Sequence, residues 1–228
     1  MPDLLTGLAT TRAIRRYRDE PVAEDDLARI LWHATRAPSG SNRQPFRFLV
    51  LRDGPRATEA RALLGESFRR LWAAKRSADG YDEGSGTEAD TPKARMAVTM
   101  QHFVDFFEST PVVVLACVQR HREPGPTEGA SVYPACQNLL LAARALGYGG
   151  VLTMWHQYVE EELRTVLGIP DDVGISATIT LGRPQGSHGP VRRRPVEELV
   201  YEDAWAEPAP WATDPPGTRF ASAGPPRS

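Results

Sequence analysis

The sequence predicts an α+β domain in which helices pack against one sheet. Four short apolar or alternating segments, at 46–51, 111–118, 151–155 and 174–181, have strand character. Longer segments between them repeat apolar residues at helical spacing, which is typical of a layered arrangement. The 228 residues, 41% hydrophobic and 25% charged, match the size and composition of an ordinary globular domain.

In the first half of the chain, the pattern predicts three helices around one strand and a further helix after a polar segment. Leu4–Thr11 forms a short helix, and Glu24–Arg36 forms an amphipathic helix with acidic residues in its first turn. The strand Phe46–Leu51 comes next. Pro55–Arg76 and Ala94–Glu108 then carry apolar residues on one side, as helices packed on a sheet do.

In the second half, strands and helices alternate. Pro111–Val118 is a continuous apolar, β-branched run, as expected for a strand buried on both faces. Ser131–Leu146 is the strongest helix, and most of its surface is apolar, so we expect it to be central. The strand Val151–Trp155, the helix Glu160–Leu167 and the strand Gly174–Leu181 complete the predicted domain.

Two polar segments are predicted to lie outside the layered core. Residues 77–92 are rich in Gly, Asp, Glu and Ser, which favours a mobile loop. Residues 206–228 are rich in Pro and Gly and bury little, so we expect an extended or disordered tail. The predicted main domain is therefore residues 1–205.

Charge and cysteine content narrow the possible partners. The net charge of −2 provides no field that would recruit nucleic acid or a membrane surface. No apolar run is long enough to span a bilayer, and no secretory signal is visible, so we expect a cytoplasmic protein. Cys117 and Cys136 sit in apolar contexts and are predicted to be buried free thiols. The five histidines show no metal-ligand spacing, so no metal site is expected.

Two motifs near the N-terminus carry the chemistry. Arg12 to Tyr17 concentrates guanidinium groups, whose forked donors match phosphate oxygens. Residues 37–46 follow with a turn rich in hydroxyls, amides and exposed backbone N–H groups. Read alone, the arginines form a solvated basic face and the turn merely joins a helix to a strand. Together they predict a site for a ligand with a phosphate at one end and a hydrogen-bonding ring at the other.

These motifs resemble the opening of the nitroreductase-like FMN-dependent oxidoreductase family. The matching patterns are Arg-x-Ile-Arg-Arg-Tyr-x-x-x-Pro-Val, from Arg12, and Ala-Pro-Ser-Gly-x-Asn-x-Gln-Pro-Phe, from Ala37. Later pieces at 133–143, 146–150 and 181–184 agree in order. The resemblance implies a nitroreductase-like layered fold, with a central, mostly antiparallel sheet flanked by helices, in an intertwined homodimer.

The resemblance also implies where FMN binds. Arg12, Ala13 and Arg15 match the segment that holds the phosphate and ribityl chain, with Ala13 contributing backbone. The family often has Arg where Thr11 stands and Ser where Ala13 stands, so one phosphate ligand and one hydroxyl are missing. The remaining expected positions are the turn residues that reach the flavin of the second subunit, Ser39, Gly40 and Asn42.

Two later segments complete the implied site. The backbone of Leu152, Thr153 and Met154 is expected to point toward flavin N5 and O4. Arg193, which aligns best by its spacing to Pro195, is expected to return to the phosphate. His156 either shapes the substrate pocket or is a surface histidine.

The implied function is electron transfer from NAD(P)H through flavin N5 to a small organic acceptor, nitroaromatic or quinone-like, by a ping-pong mechanism. No side chain is assigned as catalytic, because the cofactor carries the redox chemistry. Residues 77–92 are predicted to be a lid over the substrate, and Trp72 and Tyr81 are candidates for stacking on it.

Three alternatives stay open at the level of sequence. The chain can belong to a family branch with another flavin reaction, such as dehalogenation, flavin fragmentation or dehydrogenation. It can be a non-catalytic flavin-binding or flavin-storing protein. It can also be a binding module without any cofactor, which predicts a colourless protein.

Overall fold

A four-stranded antiparallel sheet forms the centre of the computed structural model, which describes residues 2–88 and 90–220. The strands are β1 (Phe46–Leu51), β2 (Val112–Gln119), β3 (Gly149–Thr153) and β4 (Val173–Gly182). Their order across the sheet is β1-β2-β4-β3, so β3 lies at one edge. The predicted α+β class and antiparallel sheet are confirmed.

Six α-helices surround the sheet among the described residues. They are α1 (Leu4–Thr10), α2 (Glu24–Ala34), α3 (Pro55–Ala78), α4 (Pro92–Asp105), α5 (Tyr133–Ala145) and α6 (Glu160–Leu167). Each lies within a few residues of its predicted span. Helix α3 continues two residues beyond the prediction, where Lys75 and Asp79 form an ion pair one helical turn apart, 2.5 Å between Nζ and Oδ2.

The core has two apolar layers, one on each face of the sheet. Val113 and Leu115 of β2 pack into the layer that contains α3, α4 and α6. Val112 and Val114 pack into the opposite layer with α2 and α5. Because successive strand residues point to opposite faces, a strand covered on both sides must be apolar throughout, which explains the uninterrupted hydrophobic run of β2.

Strand β3 differs from its prediction, because it begins at Gly149 and ends at Thr153. A Cβ atom at Gly150 would lie 2.2 Å from the Thr180 carbonyl oxygen, and one at Gly149 would lie 2.5 Å from Ile14 Cγ1. The two glycines therefore let neighbouring backbone approach the strand closely. The pairing of both glycines with β4 makes them part of the strand.

The segment after β3 turns into the core. Residues Trp155–Tyr158 form a short 3-10 helix, and the Trp155 ring meets Phe68 edge-on with centroids 5.1 Å apart. His156 is fully buried, with its Nε2 atom 3.0 Å from the Ile175 carbonyl oxygen. The expectation of a surface histidine at this position is wrong.

The polar segment after α3 contains turns and a 3-10 helix at Gly84–Gly86. Its Tyr81 ring packs on Trp72, with centroids 5.1 Å apart. Trp72 is 2% exposed and its indole N–H donates to Gln101, so the expectation that Trp72 stacks on a substrate is wrong. The role of the segment as a lid stays a prediction.

The C-terminal segment from residue 206 to residue 220 is irregular and packs on the preceding chain. Ala209 and Ala212 are buried, and the Val196 N–H donates to Asp214 Oδ2 over 2.9 Å. The last predicted tail residues, 221–228, lie outside the described part of the chain. The division into a domain of residues 1–205 and a tail stays a prediction.

Both cysteines are free and buried, as expected. Burial raises the pKa of Cys117 to about 11 and that of Cys136 to about 12, so both thiols are protonated at neutral pH. Within residues 2–88 and 90–220, no helix is long and apolar enough to cross a membrane, and no group of three His, Cys, Asp or Glu side chains is placed to hold a metal ion.

Arg61 ties helix α3 to the ends of two strands, which leads to a stability prediction. This buried side chain donates to the carbonyl oxygens of Leu51, Glu108, Thr110 and Pro111. Arg61→Met removes these donors and leaves buried acceptors unpaired, so it should lower the free energy of unfolding by about 2–4 kcal/mol.

Urea denaturation measures this loss, and the exposed Arg56→Met on the same helix is the control, with an expected change within about 0.5 kcal/mol. Equal midpoints for the two variants would show that the Arg61 contacts do not stabilise the fold.

Candidate functional site

The N-terminal segment after α1 lies along the outer edge of β3. The Ile14 N–H donates to the Gly150 carbonyl oxygen over 2.9 Å. The Tyr17 hydroxyl donates to the Ile14 carbonyl oxygen over 2.6 Å and lies 2.7 Å from Thr180 Oγ1 on β4. Burial raises the pKa of Tyr17, so this phenol stays protonated and can keep donating. These bonds fix the arginine motif beside the edge strand.

The outer edge of β3 has backbone groups that point away from the sheet. The carbonyl of Gly150 faces this edge, because it accepts from the Ile14 segment rather than from β4. Backbone groups alternate along a strand, so the N–H of Leu152 faces the same edge. No loop or side chain among the described residues bonds it. The edge therefore offers a backbone donor to a ligand, in the segment where the sequence predicted one.

The next two residues along this edge, Thr153 and Met154, are half-buried. Thr153 Oγ1 lies 3.5 Å from the Thr178 carbonyl oxygen, and Met154 Sδ lies 4.0 Å from the Tyr133 hydroxyl. The three predicted residues thus form one continuous segment at the sheet edge.

Arg15 points into a cavity of about 350 Å³ between the N-terminal segment and α4. The cavity is also lined by Tyr17, His102, Phe103 and Phe106. Burial lowers the pKa of the Arg15 guanidinium, and the nearby phenols of Tyr17 and Tyr81 oppose that shift. Its buried Nε atom has no hydrogen-bond partner among the described residues. A buried, charged donor without a partner is costly, so the cavity favours a polar or anionic ligand.

Arg12 and its neighbour Ala13 are exposed and have different surroundings. The Arg12 backbone N–H donates to His188 Nδ1 over 3.3 Å, in the loop that follows β4. Arg15 lines the cavity beside α4, whereas Arg12 lies next to the loop that follows β4. The contact of Arg12 and Arg15 with the phosphate and ribityl chain stays a prediction.

Arg193 is exposed, and its guanidinium bonds only the neighbouring Arg192 carbonyl oxygen among the described residues. Its main chain forms an isolated bridge with Phe220. The N–H groups of Gly189 and Val191, shortly before it, donate to the Thr10 and Ala9 carbonyl oxygens, and the phosphate contact of Arg193 stays a prediction.

The turn Ser39–Asn42 is held in an unusual backbone conformation. Ser41, Asn42 and Gln44 all have positive φ angles, of 52°, 51° and 49°. Such angles are uncommon outside glycine and are often found at functional sites. The Gln44 N–H donates to Ser39 Oγ over 2.9 Å, which fixes the loop.

The turn and the arginine motif lie at opposite ends of α5. The Gly40 N–H donates to Ser131 Oγ, just before α5 begins. At the other end, Arg144 of the last turn of α5 contacts Thr10, next to the arginine motif. A helix of 13 residues is about 20 Å long, so one chain does not bring the two motifs to one place.

Comparison with known proteins agrees with this architecture. The family model described as "Nitroreductase family" matches residues 8–183. A curated NADH dehydrogenase of Thermus thermophilus is 31% identical over 212 residues, which cover 87% of this chain and 95% of that protein. A 5,6-dimethylbenzimidazole synthase of Rhodospirillum rubrum is 26% identical over 198 residues, or 82% of each chain.

The fold is also found in solved structures. A candidate nitroreductase of Desulfovibrio desulfuricans, solved in complex with FMN, superposes with a TM-score of 0.63 at 28% identity. The match covers 90% of this chain and 99% of that one. The predicted family, fold class and oxidoreductase class are thereby confirmed. The chain belongs to the nitroreductase family.

Proposed function

We propose that the protein is an FMN-dependent oxidoreductase that passes electrons from NAD(P)H to a small organic acceptor. The observation that carries this proposal is the outer edge of β3. There, an outward backbone N–H at Leu152 lies beside the segment in which Arg12 and Arg15 have no carboxylate partner among the described residues. A flat ring with hydrogen-bonding edges and a phosphate fits this donor set.

The residues present fit FMN, the ligand of the Desulfovibrio desulfuricans relative. Arg12 and the backbone of Ala13 are proposed to hold the phosphate end, with Arg193 as a further contact from its exposed position. Arg15 is proposed to hold a polar group of the flavin from inside its cavity. Bound FMN supplies hydride acceptance and hydride return at N5. The backbone of Leu152–Met154 is proposed to orient the ring and exclude water from one side.

A second copy of the chain is proposed to complete each site. The turn Ser39–Asn42 lies about one length of α5, roughly 20 Å, from the arginine motif of its own chain. A partner subunit can bring Ser39, Gly40 and Asn42 to the flavin where the same chain cannot. Leu4 and Leu5 of α1 are 71% and 75% exposed, so apolar surface is present for a subunit interface.

The reaction is proposed to be ping-pong, with nicotinamide and acceptor using the same site in turn. Phe103 and Phe106 line the Arg15 cavity, which favours a flat aromatic acceptor of the nitroaromatic or quinone type. The Rhodospirillum rubrum relative is a 5,6-dimethylbenzimidazole synthase, so other reactions occur among similar chains. Two free, buried thiols are in keeping with the proposed cytoplasmic location.

The absorbance spectrum of the freshly purified protein tests this function. The proposal expects a yellow protein whose visible bands disappear when NADH or NADPH is added without oxygen, and return when a quinone is added. The alternative of a non-catalytic flavin-binding or flavin-storing protein expects a yellow protein that neither nicotinamide bleaches. A colourless protein that does not take up added FMN would contradict the proposal.

The segment at residues 77–92 is proposed to act as a lid over the acceptor. The segment leads directly into α4, whose His102 and Phe103 line the cavity. The segment connects two helices and is longer than most such connections, as lids often are.

Replacing Asp82–Glu88 with a Gly/Ser linker of equal length tests the lid. Flavin content should stay unchanged, since the replaced residues contact neither β3 nor the arginine motif among the described bonds. The Michaelis constants for several acceptors should change, because access to the cavity changes. Identical kinetics with every acceptor would make the segment a simple connection, and loss of flavin would place the cofactor elsewhere.

A further inference from the structure

A second arginine, Arg144, lies close to Arg12 and comes from the end of helix α5. Arg144, in the last turn of α5, donates from Nη2 to Thr10 Oγ1 over 3.4 Å. His188, in the loop after β4, accepts the Arg12 backbone N–H. Thr10, Arg12, Arg144 and His188 thus form one cluster, the Arg144 cluster, where α1, α5 and the loop after β4 meet.

His188 is neutral in this cluster and positions Arg12. Its Nδ1 accepts from the Arg12 N–H, so Nε2 carries the proton and donates to the Tyr148 carbonyl oxygen over 3.1 Å. Burial lowers the pKa of His188. The charges of Arg144 and Arg12 lower it further, while the bond to Tyr148 raises it. The charges of Arg12 and Arg144 both act on His188, and neutral His188 adds no third positive charge beside them.

The two positive charges have no negative partner in the part of the chain that the structure describes. Neither Arg12 nor Arg144 takes part in an ion pair among the described residues. The Nε atom of Arg144 is buried and has no hydrogen-bond partner among the described residues. Two neighbouring cations repel each other, and a buried donor without a partner costs free energy. A bound anion would relieve both costs.

We propose that Arg144 is a second phosphate-binding residue, which clamps the FMN phosphate together with Arg12. The inference rests on the proposed function, since it assigns the phosphate end of that cofactor. It also compensates for two positions of the arginine motif that differ from the family pattern. Thr11 lacks a guanidinium group, and Ala13 lacks a hydroxyl group. Thr11 uses its hydroxyl to bond the Gly7 carbonyl oxygen. The missing charge is supplied by α5.

A comparison of FMN with riboflavin, which lacks the phosphate, tests the assignment. The full-length chain, freed of flavin, is titrated with each ligand, and flavin fluorescence gives the dissociation constants. Arg144→Gln should weaken FMN by about tenfold or more and leave riboflavin within about twofold, since only a phosphate contact is lost. Arg144→Lys keeps the charge and should recover part of the FMN affinity. The exposed Arg56→Gln is the matched control and should change neither constant.

Different outcomes separate the two proposals. If the unmodified chain binds FMN and Arg144→Gln binds it equally well, Arg144 does not contact the phosphate. If Arg144→Gln weakens FMN and riboflavin to the same extent, Arg144 supports the fold of the site and the assignment is also overturned. If the unmodified chain binds neither flavin, the proposed function itself fails.

Discussion

The close approach of the N-terminal segment to the start of β3 is the contact on which the site depends. Gly149 and Gly150 leave no side chain at this point, so Ile14 can donate to the backbone of the strand. The contact orders the arginine motif and covers the first part of the strand edge. It ends before Leu152, and the uncovered remainder is the backbone donor proposed for the flavin.

The length of α5 is the second constraint. This central helix holds the turn Ser39–Asn42 near its start and the arginine motif near its end. The same helix that builds the core therefore separates two motifs that the sequence places only about two dozen residues apart. A site that uses both must combine two copies of the chain, and in that case folding, dimerisation and cofactor binding stabilise one another.

Much of the fold could be predicted from the sequence, because periodicity reports burial directly. The uninterrupted apolar run of β2 and the apolar surface of α5 indicated a sheet covered on both faces. The start of β3 could not be predicted, since only the approach of Ile14 and Thr180 makes the glycine pair part of a strand. The burial of His156 was missed for a similar reason, because its partner Ile175 lies on another strand.

The site was predicted less completely than the fold. The motifs located the arginine segment and the edge strand, but the roles of their individual residues stay predictions. The spacing of Arg12 and Arg15 did not reveal that Arg15 lines a cavity while Arg12 is exposed. Arg144 and His188 carry no local signal. They meet Thr10 and Arg12 across 134 and 176 residues of chain, and only the packing of α1, α5 and the last loop reveals them.

A mixed dimer tests the shared site most directly. Subunits with Arg12→Glu are co-expressed with differently tagged subunits in which Ser39 and Asn42 are both replaced by Ala, and the heterodimer is purified on both tags. A shared site gives each heterodimer one intact and one doubly altered pocket, so it should bind FMN in half of its sites with the affinity of the unmodified protein. If each pocket belonged to a single chain, the heterodimer would have one pocket altered at Arg12 and one pocket altered at the turn. The second pocket would then bind FMN as the homodimer with the altered turn does. Equal FMN affinity in the heterodimer and in the homodimer with the altered turn would therefore contradict the account.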